Sequence, residues 1–367
     1  MRYSFLLTLL MTSIASAQTI KQSDIESAQK NQYDEIDHYL DQKLADAAND
    51  RRELHKYDFS SLEAYEKSIE NLRPKFAAML GGLDYPKLDL KPTQELVADL
   101  PTHRAYRIFL PAFDNVRIYG ILLEPKSKSQ NGAHPAIICI HGMSSSPEAV
   151  CGLSEKPDYT NNFGLQAVQR GYLVFAPLDI NNFKTRSWLD RKAILIGQRL
   201  QGLEQFKILR ITDYLCSRPD VDAKKIGAYG ISWGGRTVMC AAALDRRIAA
   251  TAISGHFNDL IPKMVTPSEH YTAFIQTPED YSFFPNHAKL FTDADVVALI
   301  CPRPVFIEQG RQDKVAYWEL SQKAFEEVKP NYDKLNIGDR AVYSIFEGPH
   351  EIHGTEAFEF FDKWFKK

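Results

Sequence analysis

The chain has 367 residues, of which 44% are hydrophobic and 25% charged, with a formal net charge of -3. This is ordinary globular composition without a basic stripe, so nucleic acid is not expected as a partner. The length allows one large α/β domain or two modest ones.

The N-terminus reads as a signal peptide over residues 1–17. Met1-Arg2 is a short positive start, Tyr3 to Ile14 is apolar, and Ala15-Ser16-Ala17 is a small-residue cleavage site, so a mature chain is expected from Gln18. The apolar run is too short to span a bilayer, and no later run is long and apolar enough. No cysteine follows the cleavage site to carry a lipid. The expectation is an exported protein, periplasmic or secreted. Cysteines stand at 139, 151, 216, 240 and 301, without metal or disulfide spacing. Cys139 and Cys240 lie in apolar runs and read as core thiols, and at most one disulfide is expected.

Residues 18–100 are expected to form a helical arm packed on a main domain at 101–367. In "DEIDHYLDQKLADAANDRREL", Ile36, Leu40 and Leu44 recur at four-residue spacing, one face of a helix. "SSLEAYEKSIENLRPKFAAML" opens with capping residues Ser60 and Ser61 and ends at Gly81-Gly82. The segment has too little apolar surface for a core of its own.

From Arg104 the pattern changes. "RAYRIFL" and "VRIYGILLE" read as two strands joined at Asp114-Asn115. "PAIICIHG", "YLVFAPLD", "KIGAYG", "RIAATAISG", "RPVFIEQG" and "AVYSIFEG" follow, separated by helical stretches such as "GQRLQGLEQFKILRITDYLCS" and "TEAFEFFDKWF". Apolar strands alternating with helices predict a mostly parallel sheet covered on both faces. The ligand site of such a sheet lies at the carboxyl ends of its strands.

Gly230-Ile231-Ser232-Trp233-Gly234 fits G-x-S-x-G between a strand and a helix, the context that gives the motif meaning. The sharp turn needs small residues two before and two after the serine. It raises the hydroxyl above the sheet edge, against a helix N-terminus. Ser232 is the expected nucleophile, and a serine needs a base held by a carboxylate. In this architecture the acid and then the histidine follow the serine along the chain. Asp313, in the loop after "RPVFIEQG", is preferred as the acid over Glu308, which lies inside the strand. His350, in the loop after the last strand, is preferred over His353, which sits at the entry to the last helix. The oxyanion needs donors. Trp233 N–H is one, and the second is expected at Met143, in the turn His141-Gly142-Met143. There Gly142 permits close approach and His141 has a structural part.

The segment from His256 to Leu299 is long for a connection. It carries Phe257, Tyr271, Phe274, Tyr281, Phe283, Phe284 and Phe291. Two readings stand side by side: a cover over the site with an aromatic substrate surface, or a packed excursion with its own small core. His256 and Asn258 follow a strand end within reach of a substrate.

With "RGYLVFAP", "LRITDYLCSRPDVDAKKIGAYGISWGG", "ALICPRPVFIEQGRQDKV" and "GPHEIHGTEAFEFFDKW" quoted, the chain resembles the α/β-hydrolase superfamily. Within it, the chain is similar to exported bacterial esterases related to acetyl xylan esterase and dienelactone hydrolase. The resemblance runs through most of the chain. It implies the α/β-hydrolase fold, ester hydrolysis with Ser232 as nucleophile, Asp313 as acid and His350 as base, and no metal or organic cofactor. It departs at "APLDINNF", where many relatives carry a glycine-rich turn, so a different pocket wall is expected there. The expected substrate is a small-molecule or polysaccharide ester, with acetyl the leading acyl group; the oligomeric state is not legible. Two alternatives are a prolyl-oligopeptidase-type peptidase, for which the propeller is missing, and a non-catalytic binding protein on the same scaffold.

Overall fold

The computed structural model describes residues 19–129 and 132–366, so the signal-peptide reading of residues 1–17 lies outside the described residues. The chain divides into two compact units meeting between Ala47 and Ala48. The first consists, over its described part, of most of the helix Gln22–Leu54, a polar helix carrying ion pairs one turn apart such as Lys30–Asp34 at 2.5 Å. No helix among the described residues is long and apolar enough to cross a membrane.

The second unit is built on one sheet. Its strands are β1 Thr93–Asp99, β2 His103–Phe113, β3 Val116–Pro125, β4 His134–Ile140, β5 Leu173–Pro177, β6 Val221–Ile231, β7 Ile248–Ser254, β8 Val305–Gly310 and β9 Ala341–Phe346. They lie in the order β1-β2-β3-β5-β4-β6-β7-β8-β9. The pairs β1/β2, β2/β3 and β3/β5 are antiparallel, and every pair from β5/β4 through β8/β9 is parallel. This is the mostly parallel, helix-flanked sheet that the apolar runs predict.

Alternation along β4 divides the core. Ile138 and Ile140 face one side, with Phe206, Val238, Val297 and Val328 from the covering helices. Ile137 and Cys139 face the other, with Phe163, Phe358 and Phe361. Each such side chain contributes on the order of 1.5–3 kcal/mol when fully buried. All five cysteines are free, and Cys139 and Cys240 are buried, as core thiols should be.

The N-terminal segment packs on the main domain through two short helices and departs from an all-helical arm at its end. Tyr65, Ile69, Leu72 and Phe76, on the helices Leu62–Ile69 and Leu72–Met79, are buried in the main core, and the Tyr65 hydroxyl donates to Ala298 O at 2.9 Å. Residues 93–99, placed in the arm from sequence, are the outermost strand β1, with its pairing to β2 broken by a register shift between Leu96 and Ala98. An exposed edge strand buries almost nothing, so it leaves little apolar signal in the sequence.

The strand order locates the site. From β4 the chain steps to β5 on one side and to β6 on the other, so a crevice opens between the carboxyl ends of β4 and β6. The register brings those ends level: Ile140 pairs with Gly230, Ile231 with Ser254, Ser254 with Glu308, and Gly310 with Phe346. The loops starting at 141, 232, 255, 311 and 347 therefore leave one edge of the sheet together.

Candidate active site

Ser232 joins β6 to the helix Trp233–Leu244 with φ 58° and ψ −124°, a conformation unusual for a residue with a side chain. Its N–H donates to Ser254 O at 2.8 Å, which ties the turn to β7. Glycines remove the collisions such a turn creates. A β-carbon at Gly230 would strike the Gly234 carbonyl. One at Gly234 would stand 2.5 Å from His141 O and closer still to Ile140 O. One at Gly142 would stand 2.8 Å from both the Ser232 Cβ and the Tyr159 hydroxyl. The motif is thus a steric solution in which two backbones and one hydroxyl share a space too small for methyl groups. Trp233 is the first residue of its helix, so its N–H has no carbonyl four residues back. Trp233 and Met143 of the 141–143 turn line the same cavity.

That turn is held by two groups. His141 is buried; its Nδ1 lies 2.7 Å from Gly142 O, and its Nε2 accepts the Asp179 N–H at 3.3 Å. Burial lowers its pKa, so the ring is neutral with the proton on Nδ1. Met143 O accepts from the Tyr159 hydroxyl at 2.6 Å. Asp179, in the "APLDINNF" stretch, also accepts from Thr237 at 2.8 Å, and the buried Arg186 beneath Trp233 lies 3.4 Å from it and 2.8 Å from Glu204. The Arg186 guanidinium stacks 4.1 Å from the Trp233 ring. Where relatives were expected to carry a glycine-rich turn, a buried ionic network fixes the loops after β4 and β5 instead.

Asp313 is buried and held by four donors. Oδ1 accepts the N–H groups of Val315 at 2.7 Å and Ala316 at 2.9 Å, while Oδ2 accepts Gln309 Nε2 at 3.0 Å and pairs with His350 Nδ1 at 2.7 Å. Gly255, with φ +56°, lies beneath this pair: a β-carbon there would stand 2.9 Å from His350 Cε1 and 3.1 Å from Nδ1. The alternatives are occupied elsewhere. Glu308 is buried, accepts from the Tyr229 hydroxyl at 2.6 Å, and burial raises its pKa, so it holds the interior of the sheet. His353 is exposed and stacks on Phe346 at 4.9 Å.

Ser232 and His350 line one cavity of about 310 Å³ with Met143 and Trp233. His256 and Asn258, named from the sequence, line it too; burial keeps the His256 ring well below the ordinary histidine pKa and therefore neutral. The 256–299 segment also supplies Lys263, Thr272, Phe274 and Glu279 to the wall, and Tyr159 from a loop and Phe183 from the start of the helix Phe183–Ile194 line it too. The segment is therefore a wall of the cavity. Phe257, Phe284 and Phe291 pack into the main core, so no separate small core forms. Lys263 and Glu279 had no signal in the sequence, because single charged residues in an irregular stretch look like surface.

Residues 119–294 match the Dienelactone hydrolase family. The Bacillus subtilis protein YtaP, described as a hydrolase, is 28% identical over 65% of this chain and 81% of its own. Among solved structures, a Bacteroides fragilis protein described as an acetyl xylan esterase superposes with a TM-score of 0.64 at 18% identity, covering 83% of this chain and 80% of that one. A glucuronoyl esterase from Solibacter usitatus superposes with a TM-score of 0.60 at 14% identity, covering 85% and 98%. The sheet order and these superpositions give the chain the α/β-hydrolase fold, with residues 119–294, which span the serine turn at the end of β6, matching the Dienelactone hydrolase family.

Proposed function

We propose that the protein removes short acyl groups, acetyl first among them, from carbohydrate esters through an acyl-enzyme on Ser232. The observation that carries the reading is the pairing of His350 with the buried Asp313 beside Gly255, with His350 lining the same small cavity as Ser232. With Nδ1–H donating to Asp313, the free Nε2 of His350 is the base. It takes the Ser232 proton as Oγ attacks the ester carbonyl. The oxyanion forms against the N–H groups of Trp233 and Met143. Collapse expels the alcohol, which takes the proton back from Nε2, and a water activated by the same nitrogen then releases the acid. Asp313 fixes the ring and stabilises its charged form. The names of the structural neighbours support carbohydrate esters, and a cavity of about 310 Å³ supports a short acyl group. The signal-peptide pattern of residues 1–17 supports export, which sequencing the N-terminus of the mature protein tests: a start at Gln18 agrees, an intact Met1 does not.

The test of mechanism is labelling by a serine-directed phosphonate, followed by peptide mass analysis. The adduct is expected on Ser232, and Ser232→Ala is expected to lose roughly 10⁴–10⁶ of the turnover on an aryl acetate. Near-normal turnover by that variant would sink the mechanism.

A further inference from the structure

We propose that Lys263 and Glu279 are a hydroxyl-reading pair that selects a polyol, such as a sugar ring, as the alcohol part of the ester. The inference rests on the esterase reading above and adds to it the recognition of substrate. Lys263 lies on the short helix Leu260–Val265, and Glu279 just before the turn Asp280–Ser282; both line the cavity that holds Ser232 and His350. The ammonium of Lys263 is buried at 6% exposure and fixed by two main-chain carbonyls, Thr272 O and Val315 O, the latter at 2.5 Å. An ammonium has three N–H donors, so one remains beyond these carbonyls; the ammonium also lies 4.7 Å from the centre of the Phe274 ring, itself part of the cavity wall. Glu279 is half-buried and accepts from the Tyr281 hydroxyl at 3.0 Å through one oxygen, leaving acceptor capacity on the other.

Glu279 is the carboxylate that acts most strongly on Lys263, yet among the described residues no carboxylate lies within 4.0 Å of that ammonium. The two side chains line one cavity without forming an ion pair with each other. A buried ammonium with no carboxylate against it favours a ligand that offers both groups a partner over one that offers neither. A carboxylate would face Glu279, an amine would face Lys263, and a hydrocarbon tail would strand both charges. A hydroxyl accepts from Lys263 and donates to Glu279, and two neighbouring hydroxyls bridge a wider gap in the same manner.

The experiment compares kcat/KM for an O-acetylated methyl xyloside and for para-nitrophenyl acetate, in the wild type and in Lys263→Met and Glu279→Gln. The sugar-to-aryl ratio is expected to fall about tenfold in each variant, through KM on the sugar ester. Equal losses on the two esters would make the pair a structural part of the wall and overturn the proposal; an unchanged ratio overturns it as well. If Lys263→Met does not fold, the half-exposed Glu279→Gln carries the test alone. A wild type that hydrolyses the aryl ester but no acetylated sugar sinks this pairing and leaves the hydrolase standing. Inactivity on both esters sinks the esterase reading and this proposal with it.

Discussion

The serine turn and the wall opposite it are built by different means. Around Ser232 the geometry is a matter of backbone: Gly230, Gly234 and Gly142 are small because carbonyl oxygens and a hydroxyl already fill the space a β-carbon would take. The wall from 256 to 292 is built of side chains on short, irregular pieces, the helix Leu260–Val265 and the turns Phe274–Gln276 and Asp280–Ser282. Its polar groups are fixed by contacts with distant parts of the chain, as Lys263 is by Val315. The first construction presents a nucleophile whatever the substrate, and the second can be exchanged without touching it. On the function proposed above, chemistry and selectivity rest on separable parts of the molecule.

The sharpest way to break that division is at the histidine. His350→Ala should lose roughly 10⁴–10⁶ in kcat on any ester, because members of such a constellation act as a unit. His353→Ala, stacked on Phe346 in the open, should keep most of its activity. A dead His353→Ala beside an active His350→Ala, assayed on one aryl acetate, would move the base by three residues and undo the assignment.

Gly255→Ala tests whether backbone room alone positions the catalytic pair. The new methyl group would sit 2.9 Å from His350 Cε1 on a residue with φ +56°. Displacing the ring should cost roughly 10² in kcat with KM little changed, and the strained backbone about 1–3 kcal/mol of stability. Thermal unfolding and steady-state kinetics read the two effects separately, and unaltered kcat would show that the ring does not depend on this glycine.

The mildest test is of the wall. Burial is the main cause that lowers the pKa of Lys263, to about 8, against Glu279, Asp313 and Asp293, which favour its charge; the neutral His256 lies nearby. Above that pH the amine keeps two N–H groups, the number its two carbonyl partners engage, and the third donor is lost. The sugar-to-aryl ratio of kcat/KM should therefore fall severalfold as pH rises through about 8, while His350 and Ser232, common to both substrates, cancel from the ratio. A ratio flat across that range would separate the lysine from substrate recognition.

The same division decides which residues can be read from the amino-acid sequence alone. Ser232, Asp313 and His350 are legible because each stands just past an apolar strand, in a local pattern a few residues long. The succession of β4 to β9 along the chain is likewise carried by strand and helix runs. Lys263 and Glu279 are not legible, since their position depends on how some forty irregular residues pack back on the sheet. Nor is β1, whose exposed "TQELVAD" joins the sheet only because β2 offers a partner. Tyr65 and Phe76 look like parts of a polar arm; their burial depends on the helices around Ala298 and Ala243, far along the chain.

That outer strand has a consequence for the protein in crowded surroundings. One side of β1 is hydrogen-bonded to β2, and the other is an open row of main-chain donors and acceptors, the kind of edge onto which a foreign strand can add. Here the row is short, bracketed by Pro92 and Pro101, interrupted by the irregularity at Leu96/Ala98, and carries the charged pairs Glu95–Arg107 and Asp99–Lys126. Prolines cannot extend a ladder, and irregular register twists it away. The sheet that carries Ser232 near its middle is thus blunted at its rim against templated aggregation.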